Sequence, residues 1–314
     1  MKKFLSLFLS LLLFPSLAFA DLEFHFLDVG HGECTIVTND GKAVIIDGGP
    51  MSASDTIKNY LSKLGIEKLE CIIVTSPEDE HIGGLPLNDA SRIAIYSPVM
   101  QYDSRIFDFM LNGHSRNIMT PENGEVFSLG DAKITFYTGS TSSDAAYAPY
   151  MVKVSDGSIT VLICGDADAA TEKALLDANS DLKADVMRIS HHSTKEANTS
   201  EFISAVSPAY VVISCTEQDD APPADVLMRY LRKSIPVLCT DYNGTIIINA
   251  ETLSKKETVP VTCERWYIGN VNSEVFHRHT CTSVVKMREH NKVPIYNSYE
   301  AVYHGFDPCK NCSP

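Results

Sequence analysis

Short apolar runs separated by glycine-bearing turns set the rhythm of the first half of the chain. Residues 24–27, 34–37 and 43–46 are such runs, divided by Val29-Gly30-His31-Gly32 and Asn39-Asp40-Gly41. Runs this short with tight polar exits predict strands, here an antiparallel meander. Ser54 or Asp55 then caps a helix that presents Ile57, Tyr60, Leu61 and Leu64 on one face and stops at Gly65. The β-branched run at 71–74 predicts a buried strand that opens into a polar loop. A second set of strands follows at 134–137, 151–154 and 159–163, with helices near 171–176 and 201–206. Strands at 210–213, 237–239 and 245–248 close the series, and Pro222-Pro223 opens a helix carrying Leu227, Tyr230 and Leu231. Sets of strands each followed by helices predict an α+β fold, two sheets sandwiched between outer helices. Residues 251–264, with Lys255-Lys256-Glu257 and Pro260, read as a linker.

The amino terminus adds an address. Lys2 and Lys3, an apolar stretch to Leu17 and the small-x-small triplet Ala18-Phe19-Ala20 read as a cleaved secretory signal over residues 1–20. The apolar stretch is short for a membrane span and contains Pro15, so a soluble, exported (secreted, periplasmic or cell-surface) protein is expected. The net charge of −14 becomes −16 without Lys2 and Lys3, and residues 21–263 carry nearly all of the acid. That is a poor electrostatic match to a polyanion. Nine cysteines are an odd number for an exported chain. Cys34, Cys71, Cys164, Cys215 and Cys239 lie in or beside apolar runs, where a free thiol acts as a small core hydrophobe.

Residues 75–84 read Thr-Ser-Pro-Glu-Asp-Glu-His-Ile-Gly-Gly. With Phe26-Leu27-Asp28-Val29-Gly30-His31-Gly32-Glu33, Ile46-Asp47-Gly48-Gly49, Cys164-Gly165-Asp166, Ser190-His191-His192-Ser193 and Thr240-Asp241-Tyr242-Asn243-Gly244, they keep one order from about Leu22 to Asn249. This series resembles the metallo-β-lactamase fold and, within it, the extracytoplasmic domain of the ComEC competence proteins, with their FLDVGQGD, IDGG, THPDADHIGG, TGD, HHGS and TDxxG segments. The resemblance implies an αββα sandwich over residues 21–250 and a metal-dependent hydrolytic site. Two departures stand out. The loop's first His is Ser76 and both of its acids are Glu, and Asp220-Ala221-Pro222 replaces a Gly-His-Pro. A serine hydroxyl is a weak ligand, and each added methylene shifts a carboxylate by about a bond length against metal–oxygen distances of ~2.0–2.2 Å.

The functional reading places Glu80, His81 and Asp166 at the reacting centre, with His191 or His192 as a further ligand and Glu78 as a second-metal ligand. Mn²⁺, Mg²⁺ or Zn²⁺ suits such an oxygen-rich set better than a thiolate-loving ion. The competing reading is a fossil site: Glu78 and Glu80 as solvated loop acids, His81 as a helix cap or hydrogen-bonded to Asp166. Asp28 and Asp47 are either ligand-orienting groups or turn residues. Gly83-Gly84 serve either substrate approach or loop packing. Ser190 has no orienting acid in the sequence, which counts against a nucleophile.

The tail carries a second signal. His277-x3-Cys281 and Cys309-x2-Cys312 have the spacing of a closed tetrahedral Zn²⁺ site that stabilises a short module at 265–314. The alternative is a disulfide between two of these thiols. Residues 267–277 and 305–314 resemble the zinc-binding domain of the Ada DNA repair proteins. In that family the position of His277 is a cysteine that accepts a methyl group, so the resemblance implies a zinc fold without repair activity. Arg278, Lys286, Arg288, Lys292 and Lys310 are the candidate nucleic-acid contacts, or else a solvated surface. Two functions stay open: a secreted metal-dependent hydrolase of phosphodiester bonds in extracellular DNA, or a degenerate binding protein of the same fold.

Overall fold

The computed structural model describes residues 22–87, 93–99, 102–110, 117–139, 147–178, 180–191, 194, 196–214, 224–255, 267–278, 281–295, 301 and 304–314. The expected signal at 1–20, His192, Pro222-Pro223 and most of the expected linker lie outside these residues. Three strands, β1 (Glu23–Phe26), β2 (Thr35–Asn39) and β3 (Lys42–Ile46), form the expected antiparallel meander. β4 (Cys71–Ile73), β5 (Ala94–Tyr96) and β6 (Ile118–Met119) extend it in parallel. A second sheet is built from β7 (Val126–Leu129), β8 (Ala132–Thr138), β9 (Tyr150–Ser155), β10 (Thr160–Ile163), β11 (Val186–Arg188), β12 (Tyr210–Ile213) and β13 (Val237–Cys239). β14 (Ile246–Asn249) crosses back to pair with β1.

The two sheets face each other through one core. Phe24, Phe26, Val44, Ile46 and Ile73 of the first sheet meet Ile134, Phe136, Val152, Val154, Val161 and Val212 of the second, all essentially inaccessible to water. Each such side chain contributes about 1.5–3 kcal/mol on burial. The outward residues of the same strands take the helices. Ile36, Ile45 and Ile72 pack on Ile57 and Leu61 of α1 (Ser54–Lys63). Leu162, Met187 and Val211 pack with residues that follow in the chain: Leu175 of α4 (Ala169–Asp177), Phe202 and Ile203 of α5 (Ser200–Val206), and Val226, Leu227 and Tyr230 of α6 (Ala224–Leu231). Four layers, αββα, result.

Local details differ from the sequence reading in three places. Ser54 is the first residue of α1 rather than its cap: a 3-10 turn, Met51–Ala53, leads in, and Ala53 occupies the capping position without a side-chain bond. Cys239 is disulfide-bonded, not a free core thiol, and its partner lies outside the described residues. The start of the expected linker is helical, α8 (Ala250–Lys255). Gly65 stops α1 at φ +70°, as its lack of a Cβ allows.

The tail forms a separate four-stranded sheet, β15 (Tyr267–Asn270), β16 (Val275–Arg278), β17 (Lys292–Ile295) and β18 (Asp307–Pro308), in the order β17-β15-β16-β18. Its core is small: Tyr267, Phe276, Ile295 and Ala301. β17 packs on α6, and Arg232 pairs with Glu289 at 3.2 Å.

Candidate metal centre

The site gathers at the carboxyl ends of β3, β4, β10 and β11, where parallel strands leave their loops on one edge. Asp47 follows β3 with φ +58° and is 1% exposed. Its carboxylate accepts the Thr75 N–H at 2.8 Å and the Thr75 hydroxyl at 2.7 Å, and it lies 3.2 Å from Nδ1 of His81. The single-turn helix α2 (Asp79–Ile82) turns His81 inward, fully buried. The other ring nitrogen, Nε2, lies 3.0 Å from Oδ2 of Asp166, in the turn after β10. Gly165 makes that turn at φ +51°; a Cβ there would stand 2.6 Å from the Thr75 hydroxyl. Burial, the largest influence, lowers the His81 pKa, but Asp166 and Asp47 together raise it well above the ordinary value. Asp47 is thus an orienting residue rather than a bare turn residue. Asp28 is exposed and accepts the Gly30 N–H at 3.3 Å, a local turn bond.

Glu78 of the loop stands near this pair. Glu78 is half-buried, and its pKa is raised by burial, then by Asp166 and Glu80. Ser76 is buried and shares a 2.8 Å hydrogen bond with the Tyr147 hydroxyl, which also donates to Glu78 at 3.3 Å. The His191 backbone, at φ +46°, donates to Gly165 O at 2.7 Å and so binds the second loop to the Asp166 turn. Behind it, the buried Glu172 carboxylate accepts Asn198 N–H (2.6 Å), Thr199 N–H (2.8 Å) and the Ser190 hydroxyl (3.3 Å). Ser190 is therefore a buried structural hydroxyl. Gly83 and Gly84 pack against backbone; a Cβ on Gly84 would lie 2.3 Å from Gly48 O.

The tightest histidine–acid group among the described residues is Glu33, Asp47 and His81, with ligand atoms within 4.8 Å of one another. Glu78, Glu80, Asp166 and His191 are not members of it. Glu33 is already neutralised by Arg188, which is fully buried, pairs with it directly and donates to Ser214 at 2.7 Å. Asp47 sits on the Nδ1 side. As the structure stands both ring nitrogens face carboxylates, the arrangement of an imidazolium; an ion that displaced the Nε2 proton would meet a ring whose Nδ1–H Asp47 still holds. A 3.0 Å separation of N and O is that of two ligands each ~2.0–2.2 Å from one ion and about 90° apart. The His81–Asp166 pair is therefore spaced as two ligands of one divalent ion would be, and Glu78 is near enough to feel the charge of Asp166 and Glu80. Sequence reasoning missed Glu33, Arg188, Glu172 and Tyr147: Glu33 closes the 26–33 motif but was given no role there, and the other three lie outside every motif.

In the tail, β16 ends at His277-Arg278, Cys281 caps α9 (Thr282–Lys286), and Cys309 follows β18. His277, Cys281, Cys309 and Cys312 bring one ligand atom each within 4.8 Å of the others. All three thiols are free, which removes the disulfide alternative. Backbone N–H groups of Arg278 and Asn311 face Cys312 Sγ and Cys309 Sγ at 3.4 Å, the bonds that settle thiolate charge. Desolvation works to raise the Cys281 thiol, but hydrogen bonds from Ser283, His277 and Cys312 bring it down to about 6. Burial, the largest cause, pushes Cys312 up to about 11. Nδ1 of His277 is buried without a hydrogen-bond partner. One imidazole and three thiols at this spacing fit a tetrahedral soft-metal site.

The basic residues separate into two groups. The Arg278 guanidinium donates to the carbonyls of Cys312 and Ser313, both at 3.3 Å, and Lys292 donates to Glu289 at 2.7 Å, so both serve the module itself. Lys286, Arg288 and Lys310 are exposed, and Lys286 borders a cavity of about 330 Å³ beside His277.

The Metallo-beta-lactamase superfamily matches this chain over residues 27–217, and the chain belongs to that superfamily. It is similar to ComE operon protein 3 of Bacillus subtilis (strain 168), 24% identical over 75% of this chain and 34% of that protein. Recombination protein 2 of Haemophilus influenzae is 26% identical over 76% of this chain and 30% of its own length. The chain thus spans about a third of the length of these curated relatives. Among solved structures, the metallo-beta-lactamase fold protein YhfI from Bacillus subtilis superposes with a TM-score of 0.51 at 15% identity, covering 73% of this chain and 99% of that one. A variant of CmlA beta-hydroxylase gives 0.50 at 14% identity, covering 73% and 54%. These likenesses establish the fold. Among the described residues, no helix is long and apolar enough to cross a membrane.

Proposed function

We propose that this chain is an exported, metal-dependent hydrolase of the ComEC-like branch that cleaves phosphodiester bonds, with extracellular DNA as its substrate. The observation that carries the reading is His81 held between Asp47 and Asp166, at 3.2 and 3.0 Å. Asp47 fixes the ring and its tautomer; Asp166, Glu78 and Glu80 supply oxygen ligands on the exposed side. A divalent ion bound by these residues, Zn²⁺ or Mn²⁺, would supply a Lewis acid for a phosphoryl oxygen and activate water. It also offsets the negative potential that four carboxylates present to a phosphate. His277, Cys281, Cys309 and Cys312 of the tail would hold a structural Zn²⁺, and exposed Lys286, Arg288 and Lys310 bring positive charge to an acidic protein. The test is metal content per chain and divalent-dependent cleavage of DNA by wild type and Asp166→Asn. An amide is a poor ligand, so turnover should fall by orders of magnitude. Equal turnover in the variant sinks the assignment.

A second reading, a catalytically degenerate binding protein, draws on Ser76 and Tyr147. Their 2.8 Å contact fills the position at which the family loop carries an imidazole. One metal per chain, held by the tail alone, would decide for this reading.

A further inference from the structure

Tyr147 lies on the connection between β8 and β9, yet its hydroxyl reaches the loop after β4. There it meets Ser76 Oγ at 2.8 Å and Glu78 Oε1 at 3.3 Å, while Ser76 Oγ accepts the Glu78 N–H at 3.3 Å. With Glu78 ionised the directions follow: the Ser76 hydroxyl donates to Tyr147, and Tyr147 donates to Glu78. The ring is braced from the side. Tyr102 stands edge-on to it at 5.8 Å between centroids, and Tyr102 in turn packs on Phe107 at 6.1 Å. A small residue at 76 is what leaves room for this ring oxygen beside the ligand carboxylates.

We propose that Tyr147 is a substrate-contacting residue of this centre, its O–H donating to a non-bridging oxygen of the phosphodiester. A neutral donor at this point offers the substrate a hydrogen bond in the place where a second, imidazole-held cation would otherwise balance its charge. With the Glu78 carboxylate engaged elsewhere, the Tyr147 O–H would be free to donate to the substrate instead. The inference rests on the hydrolase reading and names the residue that binds the phosphoryl group.

The test compares wild type with Tyr147→Phe, which removes only the hydroxyl. Three quantities are read: metal per chain, affinity for a hydrolysis-resistant phosphorothioate dinucleotide by calorimetry, and turnover of a phosphodiester reporter. Expected are unchanged metal content, several-fold weaker analogue binding and a kcat lower by about 10²-fold, as for the loss of one preorganised donor. A wild type that turns over, with Tyr147→Phe matching it in turnover and in analogue affinity, overturns the role of Tyr147 alone. Loss of metal in Tyr147→Phe also overturns it, because the residue then acts on the ligands. A wild type with no main-domain metal and no turnover overturns the hydrolase reading and this inference with it.

Discussion

Nε2 of His81 and Oδ2 of Asp166 stand 3.0 Å apart although their loops belong to different sheets, so the centre exists only when the sandwich is closed. Asp47 controls which face of the ring is available. In Asp47→Asn the amide oxygen can still accept the Thr75 N–H, but the amide N–H₂ then faces Nδ1 and forces the proton onto Nε2. Metal affinity should fall by about 10–100-fold while the fold survives. Calorimetric titration with Zn²⁺ and Mn²⁺ checks this, and equal affinity would show that His81 is not a ligand.

Arg188 and Glu33 test the packing behind the site. Both are about 2% exposed, and the guanidinium is partnered by Glu33 and Ser214. Arg188→Met strands the Glu33 carboxylate without a counter-charge, and a loss of about 3–5 kcal/mol is expected. Arg188→Met combined with Glu33→Leu should regain most of it, since an apolar pair has nothing left unsatisfied. Urea unfolding of the three proteins measures the coupling. A double variant as unstable as the single would mean that volume, not charge, sets the cost.

The tail makes a separate prediction. With so small a core, the sheet β15–β18 depends on its ligands. Cys309→Ser should release the metal and expose residues 267–314 to protease, leaving residues 22–250 folded. Mass spectrometry of the intact protein and of the proteolytic fragments reads both effects. Retained metal with a resistant tail would overturn the ligand set.

Runs such as 151–154 and 159–163 stood out because alternation and β-branching persist long enough to set a period, and β9 and β10 lie there. β5 and β6, with three and two residues, are too short to show one. The candidate ligands were legible as a cluster around 78–81 because a single turn of helix keeps them adjacent. Tyr147, Arg188 and Glu172 were not, since each reaches the site from a connection, strand or helix distant in the chain, and only the closed fold says which loop it meets.

A surface pair gives a pH test. Lys153, 9% exposed, donates to the Asp181 carboxylate at 2.8 Å and to its carbonyl at 2.8 Å. The hydrogen bond from Lys153 holds the Asp181 pKa below the usual range. A depressed carboxylate pKa stabilises the fold above the unfolded value of about 3.9 and ceases to do so as pH falls through the folded value. Because Asp181 is largely exposed, solvent screening limits the effect to about 1 kcal/mol or less. Asp181→Asn should thus be slightly less stable than wild type at pH 7, with the gap closing in acid. Chemical denaturation at pH 7 and near pH 3 checks this, and a gap that widens in acid would contradict the pairing.

The last prediction concerns the residue exchange at position 76. The Tyr147 oxygen lies 2.8 Å from Ser76 Oγ, inside the volume that an imidazole on residue 76 would fill. Ser76→His alone should therefore gain no metal and should lose stability through overpacking, by about 1–3 kcal/mol. Ser76→His with Tyr147→Ala, Glu78→Asp and Glu80→Asp opens that volume and returns the carboxylates to a shorter reach. This combination should bind an additional ion, because an imidazole nitrogen is a strong ligand at ~2.0–2.1 Å whereas a serine hydroxyl is a weak one. Metal per chain and turnover of a phosphodiester reporter distinguish the outcomes. If Ser76→His by itself raises occupancy, Tyr147 does not hold the vacated ligand position, and the pairing of a small residue at 76 with a phenol at 147 has another cause.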